Sequence, residues 1–107
     1  MKETCVSANE IDWQPAEGYP EGALRKVLHE GSDSTPRSIL LKIGPGWMMH
    51  AHAHPRTELQ FVLEGEYESG DQVFPARSYR VIPRHTDHGP FTTITGAVVL
   101  VIWLDDL

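Results

Sequence analysis

Residues 46–65 read GWMMHAHAHPRTELQFVLEG and carry three histidines at alternate positions, followed by a glutamate. Side chains of an extended strand alternate between its two faces, so His52 and His54 are expected to point the same way. Glu58 lies four residues further along, beyond the strand break at Pro55, and can fold back beside them. Two neutral imidazoles and a converging carboxylate form most of a divalent-metal site. The stretch therefore predicts a metal centre built on a β-strand.

A fourth metal ligand is expected from a distant part of the chain. His88 is the best candidate, because it follows Pro83 by five residues, just beyond a predicted strand. Three imidazoles and one carboxylate suit one divalent metal ion, Fe(II), Zn(II), Ni(II) or Mn(II), with coordination positions left for water or substrate. The alternative is that these are ordinary surface histidines. Six histidines in 107 residues, three of them at alternate positions, favour the metal site.

Short apolar segments separated by glycine and proline dominate the rest of the chain. We predict strands at residues 24–29, 37–43, 47–54, 58–63, 66–68, 72–74, 79–82, 91–94 and 97–104, with the very apolar 97–104 in a central position. Turns are expected at residues 30–34 and 64–65, and a hairpin turn at 69–71. Glycine or proline breaks every stretch with a helical period, so the fold class is all-β, a sandwich or barrel.

The length of 107 residues is enough for one domain and too short for two. We assign residues 21–107 to a single β-barrel domain. Residues 1–20 are expected to form an irregular N-terminal arm, because Pro15, Gly18 and Pro20 interrupt regular structure there. No internal repeat or linker divides the chain.

Composition excludes several classes of function. The net charge of −6 argues against a nucleic-acid binder, which would present a basic face. No apolar run is long enough to span a membrane, and the N-terminus lacks the apolar core of a signal peptide. Cys5 is the single cysteine and cannot form an internal disulfide, which fits a reducing compartment. We therefore expect a cytoplasmic protein that binds neither nucleic acid nor membranes.

The spacing of residues 46–65 resembles the first motif of the cupin superfamily, G(x)5HxH(x)3–4E(x)6G, at every defined position from Gly46 to Gly65. The second cupin motif, G(x)5PxG(x)2H(x)3N, is matched at Pro83 and His88 only. Other residues occupy its remaining positions, with Arg77 and His85 at the two glycines and Thr92 at the asparagine. The resemblance implies a cupin jelly-roll barrel (double-stranded β-helix) of the RmlC-like type. It also implies metal-ligand roles for His52, His54, Glu58 and His88.

Within the cupins, residues 13–104 look most similar to the metal-binding domain of ChrR-type anti-sigma factors and to acetylacetone and dihydroxyacetophenone dioxygenases. The phrases LEGEY at 63–67, FPARSY at 74–79 and HGPF at 88–91 carry this likeness. It implies a metal ion inside the barrel. Cupins of this type commonly pair through their N-terminal strands, so we expect a homodimer.

Several side chains near the predicted ligands are candidates to line a substrate pocket: Gln60, Trp47, Met49, Tyr79, Arg80, Phe91 and His50. Gln60 shares the strand parity of Glu58 and could hydrogen-bond bound water or substrate. Arg80 could bind an anionic substrate and Tyr79 could supply an acid. His50 is interpreted as a neighbour at the pocket mouth, with an additional ligand as the alternative. No nucleophile elbow or phosphate-binding glycine loop is present, so no catalytic residue is assigned and any chemistry should run through the metal.

Three functions are compatible with these features. The first is a metal-dependent enzyme acting on a small organic molecule, with dioxygenase-type cleavage of a dicarbonyl or hydroxyketone as the best hypothesis. The second is a non-catalytic metal-binding sensor or regulatory cupin. The third is an isomerase-type cupin acting on sugar derivatives. The residue types at the predicted site do not rank the third against the first, because specificity depends on side-chain orientation.

Overall fold

A computed structural model describes residues 2–32 and 35–104, which form an antiparallel β-structure without an α-helix. Its nine strands are β1 (Gln14–Pro15), β2 (Leu24–His29), β3 (Arg37–Ile43), β4 (Met48–Met49), β5 (Thr57–Ser69), β6 (Gln72–Pro75), β7 (Tyr79–Ile82), β8 (Phe91–Thr92) and β9 (Ala97–Leu104). The predicted all-β class is confirmed. No helix in these two ranges is long and apolar enough to cross a membrane.

The strands follow the order β1-β2-β3-β9-β5-β8-β4, with β6 and β7 pairing on β5. Strand β5 connects the two halves of this curled sheet, because its first part pairs with β7 and β9 and its last part pairs with β6 and β8. The predicted central place of residues 97–104 is confirmed, since β9 lies between β3 and β5. These two halves of the sheet enclose the space in which the polar side chains of the site meet.

The turn predicted at residues 64–65 is wrong, because β5 runs through it without reversing. The pairing register with β9 shifts between Val62 and Glu64, which marks a bulge. Gly65 follows with φ 69°. A side chain at Gly65 would overlap the carbonyl oxygen of Gly96. Glycine is therefore needed for close approach of two backbones inside a continuous strand, and not for a turn.

The core follows from alternation along the two central strands. In β3 and β9 every second residue is buried, including Ile39, Leu41, Val99 and Val101. The intervening apolar residues of β9, such as Leu100, lie on the outer face and remain partly exposed. Period-two burial of this kind is expected for a sheet that packs one face onto a core.

The strand predicted at residues 47–54 is also wrong in its extent, since only Met48–Met49 forms a regular pair with β8. The same register continues to an isolated bridge between His52 and His88. Between these pairs Pro90 stands opposite His50 and has no N–H to donate. Gly89 adds a φ of 108°, which is not a strand conformation. These two residues interrupt the ladder.

The N-terminal segment expected to be irregular contains a 3-10 turn at Ala8–Glu10 and the short strand β1 against β2. Ala16, next to β1, is buried in the core. Residues 33 and 34 of the predicted turn at 30–34, and residues 105–107 at the end of the predicted domain, lie outside the described residues.

Candidate metal centre

Three histidines from two chain segments converge inside the barrel. One nitrogen from each of His52, His54 and His88 lies within 4.8 Å of the other two. The Nε2 atoms of His52 and His54 are 3.1 Å apart. Two nitrogens that each bind a Zn(II) ion at about 2.0–2.1 Å are separated by roughly 2.8–3.4 Å when they are neighbouring ligands in octahedral or tetrahedral geometry. The pair therefore already has the spacing that a shared divalent ion requires.

Backbone pairing aligns the segments that carry these histidines. The N–H of His52 donates to the carbonyl of His88 (3.0 Å), and the N–H of His88 donates back (2.9 Å). The N–H of His85 donates to the carbonyl of His54 (2.8 Å). Gly89 permits the close approach, because a Cβ there would lie 3.1 Å from the Cα of Ala51. The ligand arrangement thus rests on the backbone and does not depend on the side chains alone.

Hydrogen bonding and burial prepare the imidazoles to bind a cation. Nδ1 of His52 donates to the carbonyl of His50 (2.9 Å), which leaves Nε2 with its lone pair. Burial lowers the pKa of His88 to about 4, helped by its proximity to His52 and His54. Burial also lowers the pKa of His54, although Glu58 opposes the shift. These two rings are therefore neutral near pH 7, as metal ligation requires.

His88 provides the test of whether a metal fits. Its side chain is 6% exposed, and neither ring nitrogen has a hydrogen-bond partner. Buried polar atoms of proteins are nearly always paired, and an exception calls for an explanation such as an ion. A divalent cation shared with His52 and His54 would satisfy one of these nitrogens. The three-histidine cluster therefore fits a metal ion.

Glu58 lies beside the cluster, 2% exposed, with Oε1 3.3 Å from Nε2 of His54. Its carboxylate also accepts hydrogen bonds from the indole N–H of Trp103 (2.9 Å) and from the amide of Gln60. These donors hold a buried anion at the edge of the three-histidine group. Its role as the fourth metal ligand stays a prediction.

A chain of donors leads from the barrel wall to this carboxylate. Nη1 of Arg80 donates to the hydroxyl of Tyr67 (3.2 Å), and that hydroxyl donates to the amide oxygen of Gln60. Burial raises the pKa of Tyr67, which keeps its proton in place. Since the amide of Gln60 donates to Glu58, each step presents positive charge toward the carboxylate. The chain therefore orients Glu58.

Two cavities with a partly shared lining lie beside the histidines. An inner cavity of about 20 Å³ holds the cluster against an apolar wall. That volume suits an ion or one water molecule and excludes an organic molecule. An outer funnel of about 570 Å³ opens above it and shares Tyr19, Met49, His52 and His54 with it. The funnel has the size of a small-molecule site.

Most of the predicted pocket residues line these cavities. Gln60, Trp47, Met49 and Phe91 line the inner cavity. His50 is exposed and lines the funnel, apart from the three-histidine group.

Two predicted pocket residues lie elsewhere. Tyr79 is 60% exposed and lines neither cavity. Arg80 also lines neither, because its guanidinium stacks over Phe74 at 4.2 Å.

The sequence interpretation did not assign three residues to the site that the structure places there. The side chain of Tyr67 points into the barrel because the bulge in β5 changes which alternate residues face inward. Before the bulge the even-numbered residues from Glu58 face inward, and after it the odd-numbered ones do. Trp103 stands opposite Glu58 in the register of β5 and β9, a pairing that the sequence alone does not specify. Tyr19 comes from the N-terminal segment and lines both cavities. A tyrosine followed by proline gave no periodic signal that could have located it.

The two motif positions that lack glycine keep the backbone conformation that favours glycine. Arg77 has φ 75° and His85 has φ 60°, the two positive values among the described non-glycine residues. Their N–H groups donate to the carbonyls of Val62 (2.7 Å) and His54 (2.8 Å). The loop that delivers His88 is therefore formed despite the substitutions.

Comparison with known proteins supports a cupin jelly roll. A family model described as the ChrR cupin-like domain matches residues 1–104. No curated protein matches the chain.

Among solved structures, a candidate acetylacetone dioxygenase from Methylibium petroleiphilum PM1 has 19% identity and a TM-score of 0.85, covering 97% of this chain and 78% of that one. KdgF from Halomonas sp. has 21% identity and a TM-score of 0.81, covering 95% and 93%. A chain of the Rhodobacter sphaeroides complex of SigE with the anti-sigma ChrR has 21% identity and a TM-score of 0.72, covering 92% and 51%. These likenesses confirm the predicted jelly-roll fold.

Proposed function

The chain belongs to the family of ChrR cupin-like domains, and we propose that it is a metal-dependent enzyme acting on a small organic molecule. The best hypothesis is dioxygenase-type cleavage of a dicarbonyl or hydroxyketone. The observation that carries the proposal is the buried three-histidine cluster, with both nitrogens of His88 unpaired, at the base of a 570 Å³ funnel. The fold shared with a candidate acetylacetone dioxygenase supports the choice of reaction.

Each part of the site has a defined task in this proposal. His52, His54 and His88 hold the ion, and Glu58 is the fourth ligand. A bound divalent ion would supply a Lewis acid or an oxygen-activating centre. The amide of Gln60, held by Tyr67, keeps Glu58 oriented. The apolar wall of the inner cavity limits water access beside the cluster, which strengthens electrostatic interactions with a bound ion.

The test uses protein stripped of metal and reloaded with Fe(II) without oxygen. Oxygen uptake is then followed with acetylacetone and with a hydroxyacetophenone. We expect uptake that requires both metal and substrate, that is lost in His88→Leu and that persists in His29→Leu, because His29 lines neither cavity. Absence of uptake with every metal and both substrates would refute the dioxygenase hypothesis.

A regulatory role is the second candidate, because the matching family is named for the anti-sigma factor ChrR. In that case the metal state would control binding to a protein partner. A sigma-factor pull-down with and without chelator separates the two candidates, since the enzyme proposal expects no capture in either condition. Capture that depends on the metal, together with no oxygen uptake, would favour regulation.

We also propose that two copies pair. The resemblance implies pairing through the N-terminal strands, but edge strand β7 is the face we propose. It exposes Tyr79 (60%) and Val81 (53%) on the outer face of the barrel, and a partner copy would cover these apolar side chains. Light scattering is expected to give twice the chain mass of 12.0 kDa. Val81→Lys should shift the mass to that of one chain if this face forms the interface.

A further inference from the structure

We propose that the outer funnel is a binding site for a small organic dianion. Arg25 and Arg37 would hold one carboxylate, and the other oxygen-bearing end would reach the three histidines. The inference rests on the proposed metal site for the inner end of the ligand and adds a ligand class to it. Sequence reasoning assigned an anion-binding role to Arg80, whose guanidinium is instead stacked inside the barrel wall.

The register of the sheet directs both arginines toward the funnel. Arg25 of β2 pairs with Leu41 of β3, whose side chain is buried in the core. Paired residues of neighbouring strands share a face of the sheet, so Arg25 also points inward. Arg37 of β3 pairs with Trp103 of β9, which lines the funnel. Both arginines line the funnel as well.

The distance to the histidines suits a short organic chain. Arg37, Trp103 and Glu58 occupy one row across β3, β9 and β5. Neighbouring strands lie about 4.8 Å apart, so the backbones of Arg37 and Glu58 are separated by roughly 10 Å. Because the long side chain of Arg37 extends into the funnel, its guanidinium can lie closer to the cluster than its backbone does. A molecule with two to four carbons between its charged ends fits that gap.

Charge is distributed unevenly around the funnel. Three of the nine basic side chains line it, Arg25, Arg37 and Arg56, although the net charge of the chain is −6. Among the described residues that line the funnel, Glu17 is the single one with a carboxylate. A positive funnel on an acidic protein concentrates small anions at its mouth.

The two arginines retain capacity to bind a carboxylate. Within the part of the chain that the structure describes, no side-chain hydrogen bond or ion pair engages Arg25. Nη1 of Arg37 contacts Oε2 of Glu30 at 2.6 Å, but the side chain of Glu30 is 75% exposed. An exposed ion pair contributes little and yields to a better partner. The planar guanidinium offers several further N–H donors in a fork that matches a carboxylate.

Tyr19 links the funnel to the cluster. It lines both cavities, and its hydroxyl is close enough to respond electrostatically to Glu58 on one side and to Arg25 and Arg37 on the other. Burial keeps this hydroxyl protonated, so it can donate a hydrogen bond to a ligand that spans the two regions. A ligand anchored on the arginines would pass this residue on its way to the histidines.

The test measures succinate binding by calorimetry to protein loaded with Co(II), whose visible spectrum reports the metal site separately. In Arg25→Gln and Arg37→Gln we expect binding roughly 10- to 100-fold weaker, because hydrogen bonds to charged groups are lost. The Co(II) spectrum should not change. Arg77→Gln is the matched control, since Arg77 is exposed and lines neither cavity. It should bind succinate like the wild type.

A second measurement needs no variant. Succinamate has the shape of succinate with one carboxylate replaced by an amide, and we expect the wild type to bind it at least about 10-fold more weakly. Equal affinity for both compounds, equal affinity of the glutamine variants and Arg77→Gln, or no succinate binding by the wild type would overturn the inference. Failure of the metal proposal looks different, because the Co(II) spectrum would then be absent while arginine-dependent succinate binding remains.

Discussion

Replacing His88 by leucine should leave the metal-free protein as stable as the wild type or slightly more stable. With metal bound, the same replacement should make the protein less stable than the wild type. In metal-free protein the imidazole has two buried nitrogens without partners. Leaving a buried polar group unsatisfied costs about 1–3 kcal/mol. Leucine removes that cost but fills the space imperfectly, which offsets up to about 1.5 kcal/mol. The free energy of unfolding of His88→Leu in chelator should therefore equal or exceed that of the wild type by about 1 kcal/mol.

Metal adds stability to the wild type alone. A ligand at 100 times its Kd stabilises the folded state by about 2.7 kcal/mol. The wild type should then be the more stable protein by about 2 kcal/mol, a reversal of the order in chelator. For a domain of this size, 1 kcal/mol corresponds to a shift of roughly 4 °C in Tm.

The assay is thermal unfolding followed by circular dichroism, in chelator and in excess Co(II). His50→Leu is the control, because His50 is exposed and lies outside the three-histidine group. It should unfold like the wild type in chelator and gain the same stability from metal. A large loss of stability in metal-free His88→Leu would show that the imidazole has a stabilising partner. An equal gain from Co(II) in His88→Leu and the wild type would remove His88 from the site.

Three further predictions concern pH and backbone conformation. In chelator, the free energy of unfolding measured with urea should fall as pH drops from about 6.5 to about 4. In this window histidine of the unfolded chain takes up a proton, whereas folded His88, with its pKa of about 4, does not. Arg77→Gly should raise the free energy of unfolding by up to about 1 kcal/mol, since glycine relieves the left-handed conformation but loses more chain entropy on folding. Gly65→Ala should destabilise by about 3 kcal/mol or more, through strain and overlap with the carbonyl of Gly96.

Each of these has a matched comparison. His88→Leu should lose less stability than the wild type over the same pH window, and identical pH profiles would contradict the assignment to His88. A lower stability of Arg77→Gly would mean that the side chain contributes more than the backbone strain costs. Gly70 also has positive φ but has free space around it, so Gly70→Ala should cost only about 1 kcal/mol. Equal losses at Gly65 and Gly70 would disprove the role of close approach at Gly65.

Strands with uniform local signals could be predicted from the sequence, and the strand that changes partners could not. The boundaries predicted at residues 37–43, 79–82 and 97–104 are confirmed, because turn residues bracket continuous apolar or alternating patterns. Strand β5 was predicted as two strands, since Gly65 resembles a turn residue in any local interpretation. The structural role of Gly65 depends on Gly96, which is distant in sequence and approaches Gly65 only in the folded barrel.

The candidate site shows the same division between local and long-range information. His52 and His54 could be predicted to converge because their spacing carries the geometry, even though the strand assigned to them is mostly absent. The two side chains converge as predicted because the pairing register between Met48 and Thr92 continues past Pro90 to the bridge between His52 and His88. The arginines of the funnel could not be identified in this way. Arg25 and Arg37 look like ordinary strand charges until the pairing of β2, β3 and β9 shows that they point inward.

The second motif indicates how the site tolerates the loss of its glycines. A left-handed backbone costs a residue with a side chain about 1–2 kcal/mol. At Arg77 and His85 this cost is offset by backbone hydrogen bonds to Val62 and His54, each of which fixes the loop against a neighbouring segment. The bond from His85 is the more consequential one, because its acceptor is the carbonyl of a proposed metal ligand. The conformation of the loop and the position of His54 are therefore coupled, and the coupling follows from the shared backbone bond whichever residue occupies position 85.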